Sequence, residues 1–505
     1  MSAIASIGVI GAGTMGQGIA QIAAQGGLQV RLHDRDTEAV TRSLQAIGRV
    51  LDQQVAKGRI DASARDATLQ RLQPVQRLQD LRDCDLVVEA IVEDLQVKQS
   101  LFRELEDIVA AGAILATNTS SLSVTAVAAA CRRPQRVVGW HFFNPVPLMK
   151  IAEVIRGERT DEAVADRVAA LTQALGHRAV QAVDSPGFIV NHAGRAFIPE
   201  GLRLLSEGVG DAADIDRVMR DCAGFRMGPL ELLDLVGVDV GRMVMESLYH
   251  QYQEEPRFRI TPLVARKVAA GQLGRKSGQG FYAYEDGKAV QPAQAPPAWD
   301  PSALPPVWIA PFEADLAEKV RAHLAAVPRL RIEAGELPSA EAVAIVTPVG
   351  EDVSTACARR GLDPARTVGV DALFAMERRC VLMAAPGFDA RLREPLAGAF
   401  AHPGSAVTWL RDSPGFVAQR IVAQIVNIGA DMAQHRLGTP ADIDAAVMLA
   451  LGYPQGPFGL AQRLGLDRVL RIGEALHAAY GDPRYRPSIW LRRRALLGQP
   501  LQQSD

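Results

Sequence analysis

The chain has 505 residues, 48% hydrophobic and 22% charged, which excludes a chain disordered along its length. At ~100–200 residues per domain, that length holds two to four domains. With 55 basic against 57 acidic side chains the formal net charge is −2, so there is no global basic field to draw nucleic acid, and an anionic ligand has to be held by local groups.

Residues 1–183 alternate apolar strand-like runs with amphipathic stretches. Ala3–Ile10, Leu28–His33, Leu86–Ala90, Ala113–Thr117, Arg136–Trp140 and Arg178–Ala182 read as strands, with helical stretches such as Thr37–Lys57 and Leu95–Ala111 between them. Such alternation predicts a mainly parallel sheet with helices on both faces. The first strand runs into Gly11-Ala-Gly13-Thr-Met-Gly16, which opens a helix through about Gln25. A lone G-x-G-x-x-G is a weak signal, but here it sits between a strand and a helix. Gly11 permits the tight turn, Gly13 lets the backbone approach a pyrophosphate, Gly16 lets helix pack on strand, and the helix N-terminus supplies free N–H groups. The second strand ends at Asp34, about 20 residues on, where a carboxylate accepts from a ribose 2′-hydroxyl and repels a 2′-phosphate. NAD is therefore expected over NADP, although Arg35 follows directly.

From Asp184-Ser-Pro-Gly-Phe188 to about Tyr249 the apolar spacing is helical, punctuated by Gly228-Pro229 and followed by the turn Gly274-Arg-Lys-Ser-Gly-Gln-Gly-Phe-Tyr282. A linker rich in Pro and Ala follows, within residues 289–306. Val307–Ala310, Ala342–Thr347, Thr367–Val370 and Val381–Ala384 then suggest a smaller α/β unit. Asp412-Ser-Pro-Gly-Phe416 repeats the motif at 184–188, an offset of 228 residues. The offset also matches Asp214-Ile-Asp216 to Asp442-Ile-Asp444, Gly228-Pro229 to Gly456-Pro457, and Asp239 to Asp467. The expected domains are 1–183, 184–288, 307–411 and 412–500.

Candidate chemistry gathers after two strands. Asn118-Thr-Ser120-Ser121 follows Ala113–Thr117, and His141-Phe-Phe-Asn144-Pro145 follows Arg136–Trp140. In open α/β sheets ligands bind outside the carboxyl ends of the strands. A lone histidine is more often structural, but Glu153 lies twelve residues on. A carboxylate beside a histidine raises its basicity and fixes its tautomer, which suits removal of a hydroxyl proton while hydride leaves the same carbon. Cys84, Cys131, Cys222, Cys357 and Cys380 form no C-x-x-C pair, so a reducing compartment is expected and a zinc site or other metal is not. No run approaches the ~20 apolar residues of a membrane span, and the early first strand leaves no room for a signal peptide, so a cytoplasmic protein without a membrane partner is expected.

The sequence resembles the L-3-hydroxyacyl-CoA dehydrogenases over residues 4–284. The likeness is carried by Val88-Glu89-Ala-Ile-Val-Glu93, Asn118-Thr-Ser-Ser121, His141-Phe-Phe-Asn-Pro-Val-Pro147, Glu153-Val-Ile155, Asp184-Ser-Pro-Gly-Phe-Ile-Val-Asn191, Gly228-Pro229 and Gly274–Tyr282. The resemblance implies a Rossmann-type dinucleotide-binding domain, an all-α C-terminal domain and an acyl-CoA lying in the cleft between them. It implies that His141 takes the 3-hydroxyl proton, with Glu153 as its orienting partner and Ser120 and Asn191 holding the substrate oxygens, while hydride passes to NAD. It also implies cofactor contacts from Gly11, Gly13, Met15, Gly16, Asp34, Glu93, Lys98, Asn144 and Lys276, and a CoA contact from Lys57. The family position that often adds a polar CoA contact falls near Val50, a departure.

Each role has a bland alternative. Ser120 is a candidate helix N-cap, Glu153 a surface acid on a strand edge, Lys57 a helix-dipole partner, and Glu93 with Lys98 a surface ion pair.

With the 228 offset Asn191 aligns with Gln419, Val307–Ala310 leads into Pro311-Phe312 and not a glycine loop, and Arg379–Met383 resembles Arg136–Trp140 but ends in Ala384-Ala385-Pro386. The second half therefore reads as a reduced Rossmann-like unit without catalytic machinery, followed by a second all-α domain. The family's helical domain forms a homodimer. A second copy in the same chain implies an internal pseudo-two-fold pairing of 184–284 with 412–499, with a further homodimer left open. The tandem layout is similar to the longer dehydrogenases of phenylacetate breakdown, which act on 3-hydroxyadipyl-CoA, with 3-hydroxybutyryl-CoA as the alternative. An ω-carboxylate needs a cation, for which Arg195 and Arg226 are the candidates. A non-catalytic NAD-binding protein on the same fold, or a dehydrogenase of free hydroxy acids, are the competing readings.

Overall fold

Eight strands form the first sheet in the computed structural model, which describes residues 4–291 and 297–503. They are Ser6–Ile10 (β1), Gln29–His33 (β2), Leu72–Val75 (β3), Leu86–Glu89 (β4), Ile114–Thr117 (β5), Val137–Phe142 (β6), Ile151–Arg156 (β7) and Arg178–Val183 (β8). Their order is β3-β2-β1-β4-β5-β6-β7-β8, and every pair is parallel except β6 with β7. The sheet reverses direction of growth at β1 and β4, the switch point at which α/β folds bind ligands. β3 and β7 are absent from the expected strands. β3 is an edge strand that contains Pro74, and β7 follows a proline-containing turn and has its apolar residues interrupted by Glu153. One core packs β1, β2 and β4 against helices Thr14–Gln25 and Thr37–Ala56, and Phe102 and Leu105 of helix Leu95–Ile108 anchor a second core.

The chain divides into two compact units: residues 1–192 with 435–451, and residues 193–434 with 452–505. In the second unit, helices Phe197–Ser206, Ala212–Asp221, Pro229–Val236, Val238–Gln251 and Pro262–Ala269 precede a hairpin of Ala283–Glu285 (β9) and Lys288–Val290 (β10). The hairpin enters the expected linker, of which residues 292–296 lie outside the described residues. Beyond them, Leu304 is buried and the Trp299 indole N–H donates to Pro328 O, while residues 300–303 are exposed.

A second sheet follows: Val307–Ile309 (β11), Ile332–Glu333 (β12), Val343–Val346 (β13), Thr367–Val370 (β14), Arg379–Ala384 (β15) and Ala406–Arg411 (β16), in the order β12-β11-β13-β14-β15-β16. Its pairing repeats the first sheet with β3 and β4 removed. β15 pairs antiparallel with β14 and parallel with β16, as β7 does with β6 and β8. The register Arg379↔Ala406 is Ile151↔Arg178 displaced by 228 residues. This corrects the expected alignment: Arg379–Ala384 is the counterpart of β7, and β14 is the counterpart of β6. The position equivalent to His141 is then Asp371, whose N–H donates to Val381 O opposite it. Asp371 is buried and accepts from Gln419 Nε2 at 2.9 Å.

Reciprocal contacts occur in the two units. In the first, helix Pro440–Ala450 packs on β7 and β8, and Val183 N–H donates to Leu437 O. In the second, helix Ala212–Asp221 packs on β15, and Arg411 N–H donates to Val209 O, both residues displaced by 228. Within the second unit helix Phe197–Ser206 also packs on Ala418–Gln434. There Arg420, without exposed surface, reaches Glu200 at 2.5 Å and Glu207 at 2.7 Å, and Tyr485 OH donates to Glu200 at 2.7 Å.

Candidate active site

β1 delivers the chain into a turn whose three glycines have different physical reasons. Gly11 has φ +102°, and a Cβ there would lie 2.4 Å from Ala90 O. A Cβ on Gly16 would lie 1.8 Å from Gly11 O. A Cβ on Gly13 would meet no atom within 4 Å, so its small size serves nothing inside the protein and leaves open backbone in front. Gly13 starts helix Thr14–Gln25, whose first turn has no side-chain cap and no acidic residue. Ala12 N–H donates to Asp34 Oδ2 at 2.7 Å and Asp36 N–H to Oδ1 at 3.0 Å, which fixes the carboxylate beside the turn with acceptor capacity to spare. Free N–H groups, an open glycine and a fixed acid fit the pyrophosphate and ribose of NAD. Met15 is half-buried against the core of the first unit.

His141 and Glu153 are register partners across β6 and β7. Nδ1 lies 2.6 Å from Glu153 Oε2, and Glu153 Oε1 accepts from Ile189 and Val190 N–H at 2.9 Å each. Glu153 has no exposed surface, so it is not an acid on a solvent-facing edge. A carboxylate accepts only, so Nδ1 carries the proton and Nε2 keeps a lone pair. Phe143 and Phe188 flank the imidazole at ring distances of 4.5 and 5.9 Å.

The loop after β5 stands beside this pair. Asn118 Oδ1 accepts from Phe142 N–H at 2.9 Å, and Asn191 Nδ2 donates to Ser120 O at 3.3 Å. Ser120 and Asn191 are thus brought together. Ser120 is not a helix cap: Ser123 caps Val124–Ala128. Glu93 Oε1 accepts from the Thr119 hydroxyl at 2.6 Å, Ser120 N–H at 2.9 Å and Ser121 N–H at 3.1 Å. Burial alone would raise the Glu93 carboxyl; Lys98 and these donors hold it at about 2.

Lys98 departs from the surface-pair alternative: it is 1% exposed, and its ammonium lies 2.8 and 2.9 Å from the two Glu89 oxygens and 3.1 Å from Glu93. Lys276 lies in the second unit, where it donates to Asp239 at 2.7 Å. Its glycine turn is shaped by Asp234, which accepts from Phe281 and Tyr282 N–H at 3.0 Å each. A Cβ on Gly280 would lie 2.1 Å from the Asp234 carboxylate. Lys57 is exposed just past helix Thr37–Ala56, and Asn144 is exposed after β6. Arg195 is buried in the second unit, where burial lowers its guanidinium to about 10; Arg226 is exposed.

Sequence reasoning missed Thr117, whose hydroxyl donates to Glu89 at 2.5 Å, and Gly18, where a Cβ would lie 2.7 Å from Val146. Gly18 brings the first helix against the loop that follows His141. Among the described residues no group of three or more His, Cys, Asp or Glu is placed to hold a metal, and no helix is long and apolar enough to cross a membrane.

Comparison with known proteins places this geometry in context. Residues 6–185 match the family model described as 3-hydroxyacyl-CoA dehydrogenase, NAD binding domain. Residues 187–284 and 415–504 each match the C-terminal domain of 3-hydroxyacyl-CoA dehydrogenase. The chain is 36% identical over 494 residues to 3-hydroxyadipyl-CoA dehydrogenase of Escherichia coli K12, covering 98% of both chains. It is 42% identical over 287 residues to 3-hydroxybutyryl-CoA dehydrogenase of Bradyrhizobium diazoefficiens, covering 57% of this chain and 98% of that one. The crystal structure of 3-hydroxybutyryl-CoA dehydrogenase from Escherichia coli K12 superposes with a TM-score of 0.87 at 35% identity, covering 98% of this chain and 99% of that one.

Proposed function

The chain belongs to the 3-hydroxyacyl-CoA dehydrogenase family, NAD-dependent oxidoreductases of L-3-hydroxyacyl-CoA, and on that premise we propose its preferred substrate and the roles of its residues. The substrate is 3-hydroxyadipyl-CoA, in phenylacetate breakdown. The carrying observation is the likeness to 3-hydroxyadipyl-CoA dehydrogenase through both halves, over 98% of each chain. A second reading, 3-hydroxybutyryl-CoA, is favoured by the higher identity of the first half to the shorter enzymes of that name.

His141 Nε2 takes the proton of the 3-hydroxyl, and Glu153, locked by two backbone N–H groups, stabilises the imidazolium that results. Ser120 and Asn191 hold the substrate oxygens. NAD, when bound, supplies the hydride acceptor. Gly11, Gly13, Met15, Gly16 and Asp34 hold the cofactor, and Lys57 meets the CoA phosphates. The reciprocal bonds Val183–Leu437 and Arg411–Val209, with the Arg420–Glu200 pair, support an internal pseudo-two-fold that replaces the family's dimer.

The test is kcat/KM for the two thioesters. A buried contact to the ω-carboxylate, worth ~1.5–3 kcal/mol, gives ~10–100-fold preference for 3-hydroxyadipyl-CoA. Equal or reversed values select 3-hydroxybutyryl-CoA. Failure of both, with the free hydroxy acids turned over instead, removes the CoA reading.

A further inference from the structure

We propose that Arg220, Arg226 and Arg275 line an anion site on the helical domain that takes a phosphate monoester of the nucleotide class, in addition to the ligands of the dehydrogenase reaction. The inference goes beyond that reaction and stands whichever thioester is preferred.

The three arginines come from separate stretches of the second unit. Arg220 lies in the last turn of helix Ala212–Asp221, Arg226 in the segment before Gly228-Pro229, and Arg275 in the turn that leads to β9. Folding brings them around one cavity of about 410 Å³, a size within the range of small-molecule sites. Met227 and Leu235, 39% and 45% exposed, and half-buried Tyr284 also line it. Two of the arginines lie close on glycines. A Cβ on Gly287, where φ is +73°, would lie 3.0 Å from Arg275 Nη2, and a Cβ on Gly452 would lie 3.8 Å from Arg226 Cδ.

The charges around the cavity do not balance. Among the described residues its wall holds one carboxylate, Glu231. Glu231 pairs with Arg220 and also accepts from Gly228 N–H at 3.2 Å and Gln291 Nε2 at 2.9 Å. Asp234, next to Tyr284, is taken by the Tyr284 hydroxyl and by the Phe281 and Tyr282 N–H groups. Arg226 and Arg275 have neither an ion pair nor a side-chain hydrogen bond among the described residues. Like charges gathered on one wall repel, and a bound anion relieves that repulsion. A phosphate monoester carries about −1.5 to −2 near pH 7, which matches two uncompensated guanidiniums, whereas a single carboxylate leaves one unmatched. Guanidinium forks suit phosphate oxygens, and the Met227, Leu235 and Tyr284 side chains suit an organic body on that phosphate.

The duplication supplies an internal control. With the 228 offset, Met448, Pro454 and Gly459 stand at the counterparts of Arg220, Arg226 and Glu231. The second copy keeps the helices Pro440–Ala450 and Pro457–Leu464 without these charges, so the helical fold does not require them.

Calorimetric titration of the full chain tests the proposal, with NAD held saturating so that the glycine turn is filled. The probes are 5′-AMP and inorganic phosphate. Wild type is expected to show a saturable site for 5′-AMP with Kd below about 1 mM, and Arg226→Gln/Arg275→Gln to bind there at least ~10-fold more weakly with its thermal midpoint unchanged. Each single variant is expected to weaken binding about threefold or more, and the single variants decide the matter if the double variant does not fold. Tighter binding of 5′-AMP than of phosphate at this site assigns it to a nucleotide; equal binding assigns it to the free ion. Equal titrations of wild type and variants, or no saturable heat from either probe up to about 10 mM, overturn the proposal.

Discussion

Glu153→Gln changes one atom and is expected to disable the base. In wild type both carboxylate oxygens accept: Oε1 from two buried N–H groups, Ile189 and Val190, and Oε2 from His141 Nδ1. An amide has one acceptor oxygen and one donor NH2 group. If the oxygen stays on the two backbone groups, the NH2 faces His141 Nδ1, which must then become the acceptor. The proton moves to Nε2, and the lone pair that takes the substrate proton is lost. If the amide flips to keep the tautomer, the NH2 faces two buried donors. Each unsatisfied buried donor costs ~1–3 kcal/mol, or ~2–6 kcal/mol for the pair. Restoring the working tautomer therefore costs ~2–6 kcal/mol, which lowers kcat by ~30- to 10⁴-fold at 1.4 kcal/mol per factor of ten. Steady-state NADH formation from 3-hydroxybutyryl-CoA reads kcat, and titration with NAD reads cofactor affinity, which stays near wild type because the glycine turn is untouched. A kcat within about threefold of wild type would refute the assigned tautomer and the role of Glu153.

Gly13→Ala separates fold from cofactor binding. With φ −70° and no atom within 4 Å of its Cβ, the variant keeps its thermal midpoint, while NAD affinity falls ~10-fold or more because the methyl stands where the pyrophosphate approaches. Asp371→Asn is expected to stabilise the protein. Burial pushes the Asp371 carboxyl from 3.8 up to about 6, a cost of ~3 kcal/mol to the ionised folded state. The folded state holds the proton more tightly, so the cost is absent below pH ~4, grows between the two values and is full above pH ~6. Urea denaturation at pH ~8 shows the asparagine gain, and a gain equally large at pH ~4 would contradict it. Arg420→Met leaves the buried Glu200 with Arg484 at 3.4 Å and the Tyr485 hydroxyl but without its nearer guanidinium, and is expected to cost ~1.5–3 kcal/mol, read as a lower urea midpoint of the second unit. An unchanged midpoint would remove this ion cluster from the interface between the helical copies.

The central strands and the glycine turn are legible because burial on both faces writes them as apolar runs, as in Leu86–Glu89 and Val343–Val346, each buried throughout. The candidate base pair is legible as residue types, but its geometry is not. His141 and Glu153 meet only because β7 turns back on β6, and the apolar run of β7 is broken by Glu153 itself behind a proline turn. The same hidden strand misplaced the second half's counterpart: once β15 takes the place of β7, Asp371 and not Ala384 stands where the base would be. Lys98 reads as a surface cation because Lys rarely loses all exposure. Its burial follows from carboxylates on two neighbouring segments, a tertiary fact that spacing cannot express. Gly18 likewise signals nothing until the loop after β6 is seen against the first helix.

The most direct test of a single working site in the first half is His141→Gln in the full chain, assayed with NADH and acetoacetyl-CoA. A general base accounts for ~10²–10⁴-fold in rate, so turnover should fall by that factor while NAD binds as in wild type with one site per chain. Wild-type turnover in this variant would contradict the assignment of His141 and return the second half to consideration as a catalyst.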